Sequence, residues 1–234
     1  MLLWGLLLAC SGVGDSGTVS DDTAPAATGT TSGTGTSGTG TGATTAPPCS
    51  AFNSSEQEYA PVQIVGSGLP AGADARSWSA PTTYEWLAPF SGTPGSAASH
   101  EGHDYVHDDP AAGSVDVRAA SAGTVTYVRL GCPQSTEFGS NGALRECGSG
   151  WGNHVVVDHG DGVVTRYAHL KPGEVDVRVG EAVTEGQVLA RMGNSGRSDV
   201  RHLHFELGRM TTALDPCAPS QSFERVYDPT GLGL

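Results

Sequence analysis

Basic side chains are scarce in this chain of 234 residues. Lysine occurs once, as Lys171, and Lys and Arg together number 12 against 25 Asp and Glu, for a net charge of −13. No basic residue precedes Arg76. Nucleic acid is excluded as a partner on this ground, because phosphate binding needs clustered Lys or Arg. Long apolar runs are missing too. The longest, residues 1–10, is too short to cross a bilayer as a helix. No stretch carries the apolar period of a helix of any length. No Cys-x-x-Cys pair exists to suggest a zinc–thiolate site. Apolar residues make up 37 % of the chain, low for a chain packed throughout, so part of its length is expected to lie outside any core.

What is present divides the chain. Residues 1–10 have the size of a secretory apolar segment and end at Cys10. The sequence Leu7-Leu8-Ala9-Cys10 resembles the bacterial lipoprotein processing box. That resemblance implies cleavage before Cys10 and attachment to a membrane through a lipid on its thiol. Ser11 after the cysteine implies, in the same way, the outer membrane, with the chain facing the periplasm or the cell surface. Residues 11–48 are Gly, Thr, Ser, Ala and Pro with three Asp and two Val. Such a stretch cannot bury enough surface to offset its ordering entropy and is expected to be a disordered tether. Residues 49–85 read as an irregular lead-in whose aromatics, with Trp86, either line a groove or pack an edge of the domain. A folded domain is expected over 86–217, followed by a tail over 218–234.

The fold is expected to be all-β, with short antiparallel strands in a sandwich or partly open barrel. Residues 115–128 read as strand, turn, strand. Residues 153–158 and 163–169 are valine-rich around Asp161-Gly162, a strong hairpin signal. On the second of these strands, Thr165, Tyr167 and His169 are expected to share a face. Further short strands are expected at 175–179, 182–183 and 187–191. Residues 130–150 read as a loop insertion. With Cys10 lipidated, Cys49, Cys132, Cys147 and Cys217 remain, an even number that reads as disulfides in an exported chain. Of three possible connectivities, Cys132–Cys147 would close the insertion and Cys49–Cys217 would tie the ends of the domain together.

All eight histidines fall between His100 and His204. In the stretch 201–207 (Arg-His-Leu-His-Phe-Glu-Leu), strand geometry puts His202, His204 and Glu206 on one face and Leu203, Phe205 and Leu207 on the other. Two imidazoles side by side call for a metal, a proton or a substrate. In a second cluster, His100-Glu-Gly-His-Asp104, His100 and Asp104 lie on one side in either regular geometry. His nitrogen and carboxylate oxygen suit zinc, whose catalytic sites commonly take three protein ligands. His100, Asp104 and one of His202 or His204 make such a set. His103 and His107 have helical ligand spacing, but Gly102 and the flanking residues argue against a helix, so both are expected at the surface. His159 is expected to be solvated at the hairpin turn, and His154 is left open. Glu206 reads either as a partner behind the site or as a surface or strand-packing residue.

These motifs resemble the lysostaphin/LytM-type zinc metallopeptidases. The His-x-Gly-x-Asp element at 100–104, the hairpin at 151–170, the Gly-rich turns at 179–190 and His202-Leu-His204-Phe-Glu occur in that family's order, over about 86–210. The resemblance implies zinc held by His100, Asp104 and His204, catalytic roles for His169 and His202, and hydrolysis of peptide crosslinks in bacterial peptidoglycan. Asp199-Val200-Arg201 stand where small residues are common in the family, which points to altered substrate preference. One rival reading is a zinc-free relative that only activates other wall hydrolases. Such proteins usually lack site residues, whereas all five are present here. A biotinyl or lipoyl carrier domain would need a lysine at a hairpin tip, and Lys171 follows His169-Leu170 instead.

Overall fold

The computed structural model describes residues 49–107 and 109–234. The lipoprotein leader with Cys10 and the tether expected over 11–48 lie outside the described residues.

Valine-rich segments build the centre. Strand β5 (Asn153–Asp158) carries Val155, Val156 and Val157, all fully buried. It pairs antiparallel with β4 (Gly123–Leu130) and β6 (Val163–Val175). A strand buried on both faces reads as an unbroken apolar run, as here. The expected hairpin forms: Asp161 and Gly162 both take positive φ, 55° and 77°, as a type I′ turn requires.

The long β6 also pairs with β8 (Val188–Met192) and with β9 (His202–Arg209), both antiparallel. Against β9 lie β2 (His103–Val106) and β10 (Arg225–Tyr227). The outer strands are β1 (Phe52–Asn53), β3 (Asp116–Arg118) and β7 (Ala182–Val183). The ten strands form one open, branched sheet, antiparallel except where β1 runs parallel to β4. Among the described residues the only helical pieces are short 3₁₀ turns. The expected all-β architecture is observed, as one open, mixed sheet.

The sheet is covered on both faces. Leu203, Phe205, Tyr105, Tyr167, Val155 and Val157 belong to the main core. Val156, Val164, Tyr127, Phe223 and Val226 form a second apolar layer. The two disulfides are Cys49–Cys217 and Cys132–Cys147, the expected pairs.

Three readings need correction. The residues expected as a C-terminal tail supply β10, which extends the sheet beyond β9. Residues 176–179 are not strand; β6 ends at Val175. His103, His107 and His159 are buried rather than at the surface. The reason is the lead-in and Trp86 just after it, whose aromatic rings lie over them: Trp86 over His103 at 4.5 Å, Tyr84 over His107 at 3.9 Å and Trp78 against His159 at 5.0 Å. These rings also pack against the main core, so the aromatics of the lead-in seal an edge.

Candidate metal centre

The site begins with the alternation of β9. In its register with β2, Asp104 lies opposite His204, and Val106 opposite His202. Asp104 and His204 thus share the face away from the core, while His103 and Tyr105 take the other. Gly102 allows this close approach. A Cβ there would lie 2.2 Å from the carbonyl oxygen of Phe205, so any side chain would push β2 off β9. His100 stands just before β2, its backbone paired with Ser91.

His100, Asp104 and His204 converge. Asp104 Oδ1 lies 3.2 Å from His100 Nε2 and 2.8 Å from His204 Nδ1. One donor atom from each residue lies within 4.8 Å of the others. The far nitrogen of each imidazole is already committed: His100 Nδ1 donates to Pro89 O at 2.7 Å, and His204 Nε2 donates to Glu206 Oε1 at 3.1 Å. Two imidazoles whose inner nitrogens face one carboxylate oxygen, with their outer N–H groups anchored, fit a small divalent cation such as zinc.

The charges agree with that arrangement. Burial would raise the Asp104 pKa, but hydrogen bonds from His100 and His204 hold it far below the usual carboxylate range. Burial also opposes a proton on His204, yet its bonds to Asp104 and Glu206 prevail and raise its pKa to about 10. The Asp104 hydrogen bond likewise raises His100. A cation replacing the protons on these two rings would meet the same carboxylate.

His169 and His202 stand beside this cluster, their ring centroids 4.4 Å apart. His169 lies 5.9 Å from His204 by the same measure, and His202 Nε2 is 3.7 Å from Asp104 Oδ1. Each Nδ1 faces a backbone carbonyl, Ser195 O at 2.7 Å and Val200 O at 2.9 Å. Since a carbonyl only accepts, the ring proton sits on Nδ1 and Nε2 keeps its lone pair. Burial pushes the pKa of both rings down, so both stay neutral.

His169 reaches this face by a device the strand pattern does not reveal. Tyr167 is in the main core, so simple alternation would send His169 there as well. Instead β6 bulges: Val155 pairs with Tyr167 but Asn153 with Leu170, so Ala168 and His169 together oppose His154. His169 takes φ 58°, in the left-handed region, and its N–H is held by Trp151 O at 2.8 Å. The extra residue turns the imidazole onto the same face as His204. Thr165, Tyr167 and His169 therefore do not share a face.

The cluster opens into a cleft of about 570 Å³ whose walls include Tyr59, Val62, Trp151, Arg197, Asp199 and Val200. The unusual triplet at 199–201 divides. Asp199 and Val200 line the cleft. Arg201 is buried and turned away, donating to the carbonyl oxygens of His107, Asp109 and Gly113.

Behind His204, Glu206 is fully buried and bonded on every side. Trp151 Nε1 donates to it at 2.6 Å, Arg166 Nη1 at 3.0 Å and Gln63 Nε2 at 3.1 Å. Glu206 is thus a partner behind the site rather than a surface or packing residue. Arg166, Trp151 and Gln63 were not expected here. Arg166 gave one signal, a charge in the valine-rich run 163–170, and such a charge is rarely buried without a partner. His154, left open, is fully buried at the bulge, with burial holding it neutral.

Comparison with known proteins agrees in kind. The model of peptidase family M23 matches residues 98–216. A peptidoglycan DD-endopeptidase of Vibrio cholerae, ShyA, is 40% identical over 74 residues, 30% of this chain and 17% of that protein. An uncharacterized lipoprotein of Escherichia coli, YgeR, is 31% identical over 141 residues, 60% of this chain and 46% of that one. The NlpD/LppB lipoprotein homolog of Pseudomonas aeruginosa is 36% identical over 100 residues, 43% of this chain and 27% of that protein. The chain thus spans less than half the length of these relatives. Among solved structures, the catalytic domain of lysostaphin from Staphylococcus simulans aligns with 72% of this chain and 100% of its own, at 18% identity and a TM-score of 0.40.

Proposed function

This chain belongs to peptidase family M23, and on that premise we propose that it is a zinc-dependent endopeptidase hydrolysing the peptide crosslinks of bacterial peptidoglycan. The observation that carries this reading is the convergence of His100 and His204 on Asp104, with two neutral histidines alongside. His100 Nε2, Asp104 Oδ1 and His204 Nδ1 would hold the metal. When bound, zinc supplies a Lewis acid that polarises the scissile carbonyl and acidifies water.

The protein's own groups divide the remaining work. His169 and His202 present bare Nε2 atoms toward the site, one of which takes the proton of the attacking water. That ring, now carrying an N–H at Nε2, donates to the oxygen on which negative charge develops and then delivers the proton to the departing amine nitrogen, while the other ring stays neutral and orients the water through its Nε2 lone pair. Glu206 is not a candidate base, because its oxygens are filled by donors from His204, Trp151, Arg166 and Gln63. The cleft receives the peptide, and Asp199 and Val200 in its wall set the preference among crosslinks. Relatives named as a peptidoglycan DD-endopeptidase and as lipoproteins support both the substrate and an exported chain. With the box at Leu7–Cys10, they favour a lipid on Cys10 that holds the chain at the outer membrane.

The test is mass spectrometry of fragments released from several defined peptidoglycans by the zinc-loaded full chain, with His204→Ala as control. Release of uncrosslinked peptides by the wild type alone is the expected result. No cleavage of any wall, together with no bound zinc, would favour the activator reading.

A further inference from the structure

The most deeply buried ion pair of the described residues lies directly behind the proposed metal centre, and nothing in the chemistry above uses it. Arg166 and Glu206 face each other across β6 and β9, both fully buried. Taking two charges out of water is costly and often brings no net stability. Such a pair calls for a reason other than holding the fold.

The geometry suggests one. Each Glu206 oxygen receives two donors. Oε1 takes His204 Nε2 and Trp151 Nε1, and Oε2 takes Arg166 Nη1 and Gln63 Nε2. The carboxylate cannot turn without breaking four hydrogen bonds, so the ring it holds cannot turn either. Arg166 is pinned in its turn. Its guanidinium lies 3.6 Å from the centre of the Trp151 ring and 4.4 Å from that of Phe223, and it donates to Gln221 O. Trp151 joins the two halves of the site: its indole N–H holds Glu206, while its carbonyl oxygen holds the backbone N–H of His169 at the bulge.

We propose that Glu206, clamped by Arg166 and Trp151, is a positioning residue that fixes the ring of His204 and strengthens its hold on a divalent metal, and that Trp151 ties this brace to His169. The proposal rests on the metal-centre reading above. A negative carboxylate on the far nitrogen of a ligating imidazole makes the near nitrogen a better donor, and loss of such partners typically costs metal affinity about 10–100-fold. Glu206 and Trp151 act through the two histidines and are not themselves catalytic.

The experiment is carried out on the full chain. The zinc dissociation constant is measured by competition with a chromophoric chelator for wild type, Glu206→Gln, Trp151→Phe and His204→Ala. The visible spectrum of the cobalt-substituted protein and the circular dichroism of each variant are recorded alongside. Glu206→Gln keeps an acceptor for His204 and removes the charge. Its zinc affinity is expected to fall about 10–100-fold, with a changed cobalt spectrum. Trp151→Phe keeps the ring over Arg166 and removes only the indole donor. It is expected to weaken zinc less, to shift the cobalt spectrum in the same sense, and to decide the matter if Glu206→Gln does not fold. Unchanged zinc affinity and cobalt spectrum in the folded variants would overturn the brace alone. A wild-type chain that binds no zinc would overturn the metal-centre reading beneath it.

Discussion

At the residue scale, the five site residues divide by what holds them. His100 and His204 turn an inner nitrogen to Asp104, so each is placed by a carboxylate in front and an acceptor behind. His169 and His202 are placed by backbone carbonyls and keep a free basic nitrogen. This difference makes their removal distinguishable. His204→Ala is expected to abolish both zinc binding and hydrolysis. His169→Ala is expected to retain stoichiometric zinc while hydrolysis falls about 10²–10⁴-fold, the range for loss of a positioned proton-transfer group. Metal analysis and turnover on the same preparations check this, and loss of zinc in His169→Ala would contradict the division. The alternation of residues 202–207 and the pairing of His100 with Asp104 were legible in the sequence, because side-chain direction along a strand is fixed by geometry. Cys10, expected from the sequence to carry a lipid, lies outside the described residues.

At the element scale, irregularities aim the chemistry. The β6 bulge turns His169 out of the core, and its αL backbone left no mark in the sequence, since no Gly or Asn stands there. The burial of His103, His107 and His159 was also illegible, because it depends on rings some 20 to 80 residues earlier folding back over them. The hairpin was legible, since Asp-Gly states its own turn type. The close contact of β2 with β9 makes Gly102 a sensitive point. Gly102→Ala is expected to leave a folded chain whose zinc affinity falls at least tenfold, because the added methyl would meet the Phe205 carbonyl and move Asp104 from His204. Chelator competition beside a thermal melt checks it, and unchanged zinc affinity would show that β2 tolerates the shift. The Cys132–Cys147 bridge closes a loop of 15 residues. It ends close to Ser149 and Trp151 in the cleft wall. Replacing both cysteines with serine is expected to cost about 3 kcal/mol by the chain-entropy estimate, read as a lower denaturation midpoint.

At the scale of the whole molecule, charge and histidine burial set the response to pH. Burial lowers the His159 pKa to about 4, with the ring sealed under Trp78, and lowers His154 as well. In the unfolded chain both titrate near 6.5, so between about pH 6.5 and 4 the unfolded state binds more protons. Stability from these groups is therefore complete above about pH 6.5 and lost as pH falls toward 4. For His159 the loss amounts to about 3 kcal/mol. His100 and His204, raised in the metal-free protein, contribute in the opposite sense: their stability is present below about pH 6.5 and lost as pH rises through their folded values. The melting temperature of the metal-free chain is expected to fall steeply below pH 6.5, and His159→Gln is expected to flatten that slope. An unchanged slope would show that His159 is not buried neutral. The open sheet carries its cleft on the histidine face.

We propose that one metal ion at His100, Asp104 and His204 drives peptide hydrolysis in this cleft. The most direct test is a titration of chelator-stripped full chain with zinc, following release of uncrosslinked peptides from purified peptidoglycan. Activity that is absent at the start and rises linearly to a plateau at one equivalent, with no rise in His204→Ala, is the expected result. Undiminished hydrolysis by the stripped chain, or an equal rise in His204→Ala, would contradict it.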